Sequence, residues 1–233
     1  MDSSNSLKRS KRNKALSNHQ IAKPSTNDQE EPTVATQENQ VQTIINLQLT
    51  GRDRTTAFWR FILIVPVAVL LYAFSSLVHT GMYATGLIIV PVVLTLLFRG
   101  VYPSYVLSFN HALLEFNTRV SAYALLLTDD YPSIERNPNI AVLLPDVEGG
   151  RTLSRGLPLI KWLFAIPLFV VGAIYAVIAA VLTIYAWLYV SATGTYPESI
   201  AKFVLGTLEF WNRVVGYALI MVTDEYPPFT LSF

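Results

Sequence analysis

The chain has 233 residues, of which 52% are apolar and 14% charged, with a mean hydropathy of +0.40 and a formal net charge of +1. Soluble domains carry roughly 25% charged residues, so an ordinary soluble enzyme is excluded and a membrane protein is expected. The chain has no cysteine, which excludes disulfide scaffolds, thiolate metal sites, iron–sulfur clusters and cysteine nucleophiles.

Residues 1–40 hold few apolar positions and no aromatic one. Such a head cannot offset its ordering entropy, and disorder is expected. No apolar run follows its basic residues, so it does not read as a signal peptide. Lys8, Arg9, Lys11, Arg12, Lys14 and Lys23 precede Asp28, Glu30, Glu31 and Glu38. The basic block reads as a solvated tail that sets topology. The alternative is attachment to anionic lipid, at about 1 kcal/mol per basic residue. Nucleic acid is not expected, because clustered basic residues without aromatics are unspecific.

Residues 41–49 alternate loosely and predict a short strand. Residues 61–98 and 162–197 then contain no Asp, Glu, Lys or Arg. One bilayer crossing needs about 20 residues, so each run is too long for one helix and fits a tight hairpin of two. The first turn is expected near His79-Thr80-Gly81 and the second at Gly172, the only breaker in its run.

The chain repeats itself. Tyr102-Pro103 recurs as Tyr196-Pro197, each after a Gly-x pair. At the same offset of 94, Glu115, Phe116, Arg119 and Tyr123 match Glu209, Phe210, Arg213 and Tyr217. One inserted apolar residue later, Thr128-Asp129-Asp130-Tyr131-Pro132 matches Thr223-Asp224-Glu225-Tyr226-Pro227. Upstream, Arg54, Arg60 and Pro66 match Arg155, Lys161 and Pro167 at an offset of 101. A second strand is expected at residues 140–144. Duplication of this kind is a fold-level signal. It divides the chain into a polar head (1–40), a first repeat (41–133) and a second repeat with its leading linker (134–233).

The stretch Arg-Gly-Leu-Pro-Leu-Ile-Lys-Trp-Leu-Phe-Ala-Ile-Pro at 155–167 carries a resemblance, together with the Gly-x-Tyr-Pro motif, Glu-Phe-Trp-Asn-Arg-Val at 209–214 and Thr-Asp-Glu-Tyr-Pro-Pro-Phe at 223–229. In combination they resemble the bacterial membrane family called domain of unknown function 4389, over about residues 41–231. In the first repeat Trp211-Asn212-Arg213 is replaced by Asn117-Thr118-Arg119. The resemblance implies a multi-pass membrane protein with no assigned activity and supplies no catalytic residue.

The expected fold is an all-α membrane protein of two tandem repeats. Each has a short β-strand, a transmembrane hairpin and an amphipathic interfacial helix. Lys and Arg avoid the hairpin tips, so the positive-inside rule places both termini and the linker in the cytoplasm of an inner-membrane protein. Trp59, Arg60, Lys161 and Trp162 are candidate interface anchors. Residues 104–127 and 198–222 carry narrow polar stripes and are expected to lie in the interface. Spanning is the alternative, disfavoured because a mid-membrane charge costs about 2.5–3.5 kcal/mol.

Candidate lipid- or partner-binding residues are the i, i+4 pairs Glu115–Arg119 and Glu209–Arg213, with Asp129 and Asp224. The bland reading of the pairs is solvated ion pairs. The acids near helix C-termini face an unfavourable dipole, which a basic residue or a bound cation would offset. His111 reads as a solvated histidine rather than a ligand. No metal, no cofactor and no enzymatic constellation is expected. The expected function is a non-enzymatic accessory or scaffold organising lipid, a membrane protein partner or a second copy at the cytoplasmic face. The alternative is a transporter or channel subunit.

Overall fold

The computed structural model describes residues 39–76, 88–135 and 137–231. Almost all of the head and the turn expected near His79-Thr80-Gly81, with His19, lie outside them. The chain is mostly helical. Strand β1 (Gln42–Ile45) leads to α1 (Arg54–Leu63) and α2 (Val65–Ser76), then α3 (Val90–Arg99) and α4 (Ser104–Ala124). Strand β2 (Ile140–Leu143) opens the second repeat, followed by α5 (Leu157–Thr193) and α6 (Glu198–Val215), which widens into a π turn at Gly216–Ile220.

Local chemistry explains these boundaries. Asp53 caps α1 by accepting from Thr55 N at 2.9 Å, which satisfies an amide the helix leaves open, and from the Thr56 hydroxyl at 2.6 Å. Pro91 and Pro158 stand in the first turns of α3 and α5, where a missing N–H costs nothing. Gly100 and Gly194 end those helices in the left-handed region, at φ 62° and 74°, the usual glycine role there.

The second hairpin does not form. Its charge-free run is one unbroken helix, α5, that passes through Pro167. Gly172 is no turn. A Cβ there would lie 2.9 Å from Trp211 and 3.0 Å from Phe210, so Gly172 lets α5 and α6 approach closely.

The one-residue shift between the repeats also has a place. In the first repeat Leu127 N donates to Ala122 O at 2.8 Å; in the second Val222 N donates to Gly216 O at 3.0 Å, one residue further back. The extra residue is absorbed by the π turn, as inserted residues in helices commonly are.

β1 and β2 pair antiparallel, from Gln42 opposite Leu143 to Ile45 opposite Ile140. The sheet packs on the two post-apolar helices. Asn212 Nδ2 of α6 donates to Thr43 Oγ1 at 2.9 Å, and His111 Nε2 of α4 to Val142 O at 2.6 Å. α4 and α6 meet at Thr118 and Asn212, equivalent positions of the two repeats, 3.0 Å apart. Behind them, α6 packs on α5 at Gly172 and α4 on α2. α1 runs antiparallel to α5, its start bonded to α5's end through Arg54 Nη2 and Thr193 O at 3.1 Å. Trp187 stacks on Phe58 and donates to Ala57 O at 3.0 Å.

The two repeats grip each other reciprocally. Tyr102 donates its hydroxyl to Ile220 O at 2.7 Å, and Tyr196 donates to Leu125 O at 3.2 Å. Tyr102 N bonds Gly149 O and Tyr196 N bonds Leu49 O, both at 2.8 Å. Each Gly-x-Tyr-Pro turn thus docks on the other repeat.

α4 and α6 are not helices with a solvated polar stripe. Glu115, Arg119, Asn212 and Arg213 are buried, because these helices form the middle layer. Only the N-terminal stripe residues Ser104, Ser108, Glu198 and Lys202 are exposed.

Candidate functional site

Three polar arrangements stand out: two ion-pair centres, one per repeat, and one cavity. In the first centre Asp129, just after α4, meets two guanidinium groups. Arg52 Nη2 lies 2.6 Å from Asp129 Oδ1, and Arg60 bonds the same oxygen. Arg60 also donates to Tyr123 O at 2.8 Å and Thr128 O at 2.9 Å, and stacks over the Tyr123 ring at 4.3 Å. In the second centre Lys161 Nζ lies 2.7 Å from Asp224 Oδ1, donates to Thr223 O at 2.7 Å and sits over Tyr217 at 5.3 Å. The backbone amides of Asp53 and Ser154, themselves equivalent, bond the far carboxylate oxygens.

Arg60 and Lys161 are each 1% exposed, so neither snorkels to an interface as an anchor. They are turned inward because the carbonyls after the αL residues Leu126 and Met221 and the following aspartates need a cation. Trp59 is exposed, and Trp162 is half-buried with its Nε1 donating to Ala218 O at 2.8 Å. Burial pushes the Asp129 and Asp224 carboxyls up. The bonds and charges of Arg52 and Arg60 on one, and of Lys161 and Ser154 on the other, outweigh it and leave both below the ordinary value.

Arg119 donates to Glu135 O, and Arg213 Nη2 to Thr230 O at 3.1 Å. Both arginines fasten the segment that follows their own helix. The Arg52 and cross-repeat tyrosine roles were missed from sequence. Recurrence of Tyr102 and Tyr196 signalled that those positions matter, whereas the position equivalent to Arg52 in the second repeat is Leu153, so it left no repeat signal.

The cavity, of about 380 Å³, lies along α4. It is lined by His111, Glu115 and Arg119 on its polar side, with Phe109, Phe116 and Ile134 on its apolar side. Glu115 is only 8% exposed, and among the described residues no hydrogen bond or ion pair reaches its carboxylate. On the matching part of α6 the equivalent rings are covered by α5. Tyr175 of α5 packs edge-on against Phe210 at 5.5 Å and Phe203 at 6.3 Å, and its hydroxyl donates to Phe229 O at 3.0 Å. Trp211 lies beside Phe169 at 6.1 Å; its counterpart is the small Asn117. Glu115 and Arg119 thus line a cavity, whereas the ring of Phe210, next to Glu209, packs against α5. Among the described residues no cluster of His, Asp and Glu could hold a metal ion.

No curated protein and no solved structure matches the chain. One family profile does, twice, at residues 54–134 and 158–230. The two matches coincide with the two structural units, each running from its long apolar helical segment to the Tyr-Pro after its ion-pair centre. With more than half its length matched in tandem, the chain belongs to the family described as a domain of unknown function, DUF4389.

Proposed function

We propose that this chain is a non-enzymatic membrane module of the inner membrane that holds a lipid head at its cytoplasmic face. Two helical segments, residues 54–71 and Leu157–Thr193, are long and apolar enough to cross a membrane, which supports embedding in lipid. The observation that carries the lipid reading is the α4 cavity. Glu115 is a carboxylate in the cavity wall that no hydrogen bond or ion pair reaches among the described residues, and an amine answers its charge. Arg119 on the next turn favours a phosphate on the same ligand, since guanidinium groups suit phosphate oxygens. Phe109, Phe116 and Ile134 offer the apolar surface an acyl chain would cover. The ligand class is an amine-bearing phospholipid. An unbroken α5 offers no second hairpin for a four-span bundle, which speaks against the channel reading.

The test is purification in mild detergent with identification of retained lipid. Amine-bearing phospholipid is expected to be enriched, and Glu115→Gln is expected to lose at least most of that enrichment. Glu198→Gln, on the exposed start of α6, is expected to keep it. Equal lipid content in wild type and Glu115→Gln would overturn the reading.

A further inference from the structure

We infer that α5 lies along the membrane, sunk into one leaflet with its outer face in lipid, and does not cross the bilayer. This rests on the membrane reading above. Three observations carry it.

The first is length. α5 has 37 residues and is about 55 Å long at 1.5 Å per residue, against about 30 Å of hydrocarbon. A tilt of about 40°, the upper end of what crossing helices adopt, still leaves an overhang of about 12 Å.

The second is the outer face. The only charged residue of α5, Lys161, is turned inward. From Leu159 through Val170, Val177 and Ile184 to Leu188 the exposed side is apolar apart from the ring hydroxyl of Tyr185, and Tyr189 and Thr193 follow only in the last turns. An apolar outer face about 45 Å long, from Leu159 to Leu188 at 1.5 Å per residue, exceeds what one crossing would bury.

The third is the sheet. Thr43 of β1 bonds Asn212 of α6, and the neighbouring Trp211 and Phe210 pack on Gly172 of α5. The strands therefore stack at the level of α5's middle. If α5 crossed, that level would be the centre of the bilayer. Among the described residues the sheet has only two strands, and Gln42 and Asn46 are exposed on it. Open sheet edges facing lipid do not occur in hydrocarbon. With α5 in the membrane plane, sheet, α4 and α6, and then α5 become successive layers from water to lipid. Both ion-pair centres then lie at one depth, near opposite ends of α5.

The test uses the full-length chain, which is free of cysteine, in sealed vesicles of known orientation. Single substitutions Arg151→Cys, Asn46→Cys and Glu198→Cys mark the two ends of α5 and the sheet. All three are expected to react with an impermeant thiol reagent from the same side. Spin labels at Leu163→Cys, Val170→Cys, Val177→Cys and Ile184→Cys are expected to report one nearly constant depth along about 32 Å of helix. Labelling of positions 151 and 198 from opposite sides, with a depth maximum near position 177, would overturn the in-plane arrangement and leave the membrane reading standing. Release of wild type by alkaline carbonate as a soluble dimer would overturn both, because a second copy would then cover the apolar face.

Discussion

Asp129 and Asp224 each hold a buried cation at the point where the chain leaves a helix. Removing one partner of a buried ion pair costs about 3–5 kcal/mol, because the other charge stays buried alone. Asp129→Asn strands two guanidinium groups and Asp224→Asn one ammonium. The first is expected to lower unfolding stability more than the second, read by tryptophan fluorescence in detergent. Both carboxyls titrate below the ordinary 3.8 in the folded chain. Their contribution is complete above about pH 4 and is lost as pH falls through the lowered values. The unfolding midpoint should drop below pH 4, and the double Asn variant should show a flatter acid limb. The αL residues beside these centres are Leu126 and Met221 rather than glycine. An αL side chain costs about 1–2 kcal/mol, but both residues are fully buried, and burying an aliphatic side chain returns about 1.5–3 kcal/mol. Leu126→Gly should therefore destabilise despite relieving the backbone.

At the scale of elements, the contact that decides the architecture is α5 on α6 at Gly172. Any larger side chain there meets the rings of Phe210 and Trp211. Overpacking a fitted core typically costs about 1–3 kcal/mol, so Gly172→Leu should lower the thermal midpoint by several degrees while helix content stays nearly constant. Were Gly172 a turn instead, the substitution would change helix content first. The π turn belongs to the same scale. It lets Ile220 present its carbonyl to Tyr102 although the second repeat is one residue longer there.

At the scale of the whole molecule, the repeats are interdependent rather than separate domains. Each supplies one strand of the sheet and one tyrosine to the other's helix end. A hydrogen bond of this kind is worth about 0.5–1.5 kcal/mol net, so Tyr102→Phe and Tyr196→Phe should each weaken the molecule modestly and by similar amounts. Residues 39–133 expressed alone lack β2 and the carbonyl of Ile220. That fragment is expected to be protease-sensitive and to become resistant when co-expressed with residues 134–231. A resistant first fragment on its own would contradict the reciprocal packing.

Duplication, the two strands and the apolar helical segments were legible in the residues. Tyr-Pro, Glu-x-x-x-Arg and Thr-Asp-acid-Tyr-Pro recur at fixed offsets. Periodicity also marked the polar stripes of α4 and α6. It could not say that these stripes face inward, because amphipathicity shows that a helix has two faces and not which one water meets. The run at 162–197 held too many apolar residues for one crossing, and a hairpin was the local answer. The tertiary structure chose a continuous helix because Gly172 packs against α6 and because α5 finds α1 along its second half. Arg60 and Lys161 looked like surface anchors, since nothing in sequence tells where a carboxylate 60 to 70 residues away will sit. Their inward placement, the open cavity beside Glu115 and the packing of Tyr175 on Phe210 in the second repeat depend on which helix lies across which. That is a long-range packing choice, decided by small residues and ring shapes at the contact rather than by the pattern along the chain.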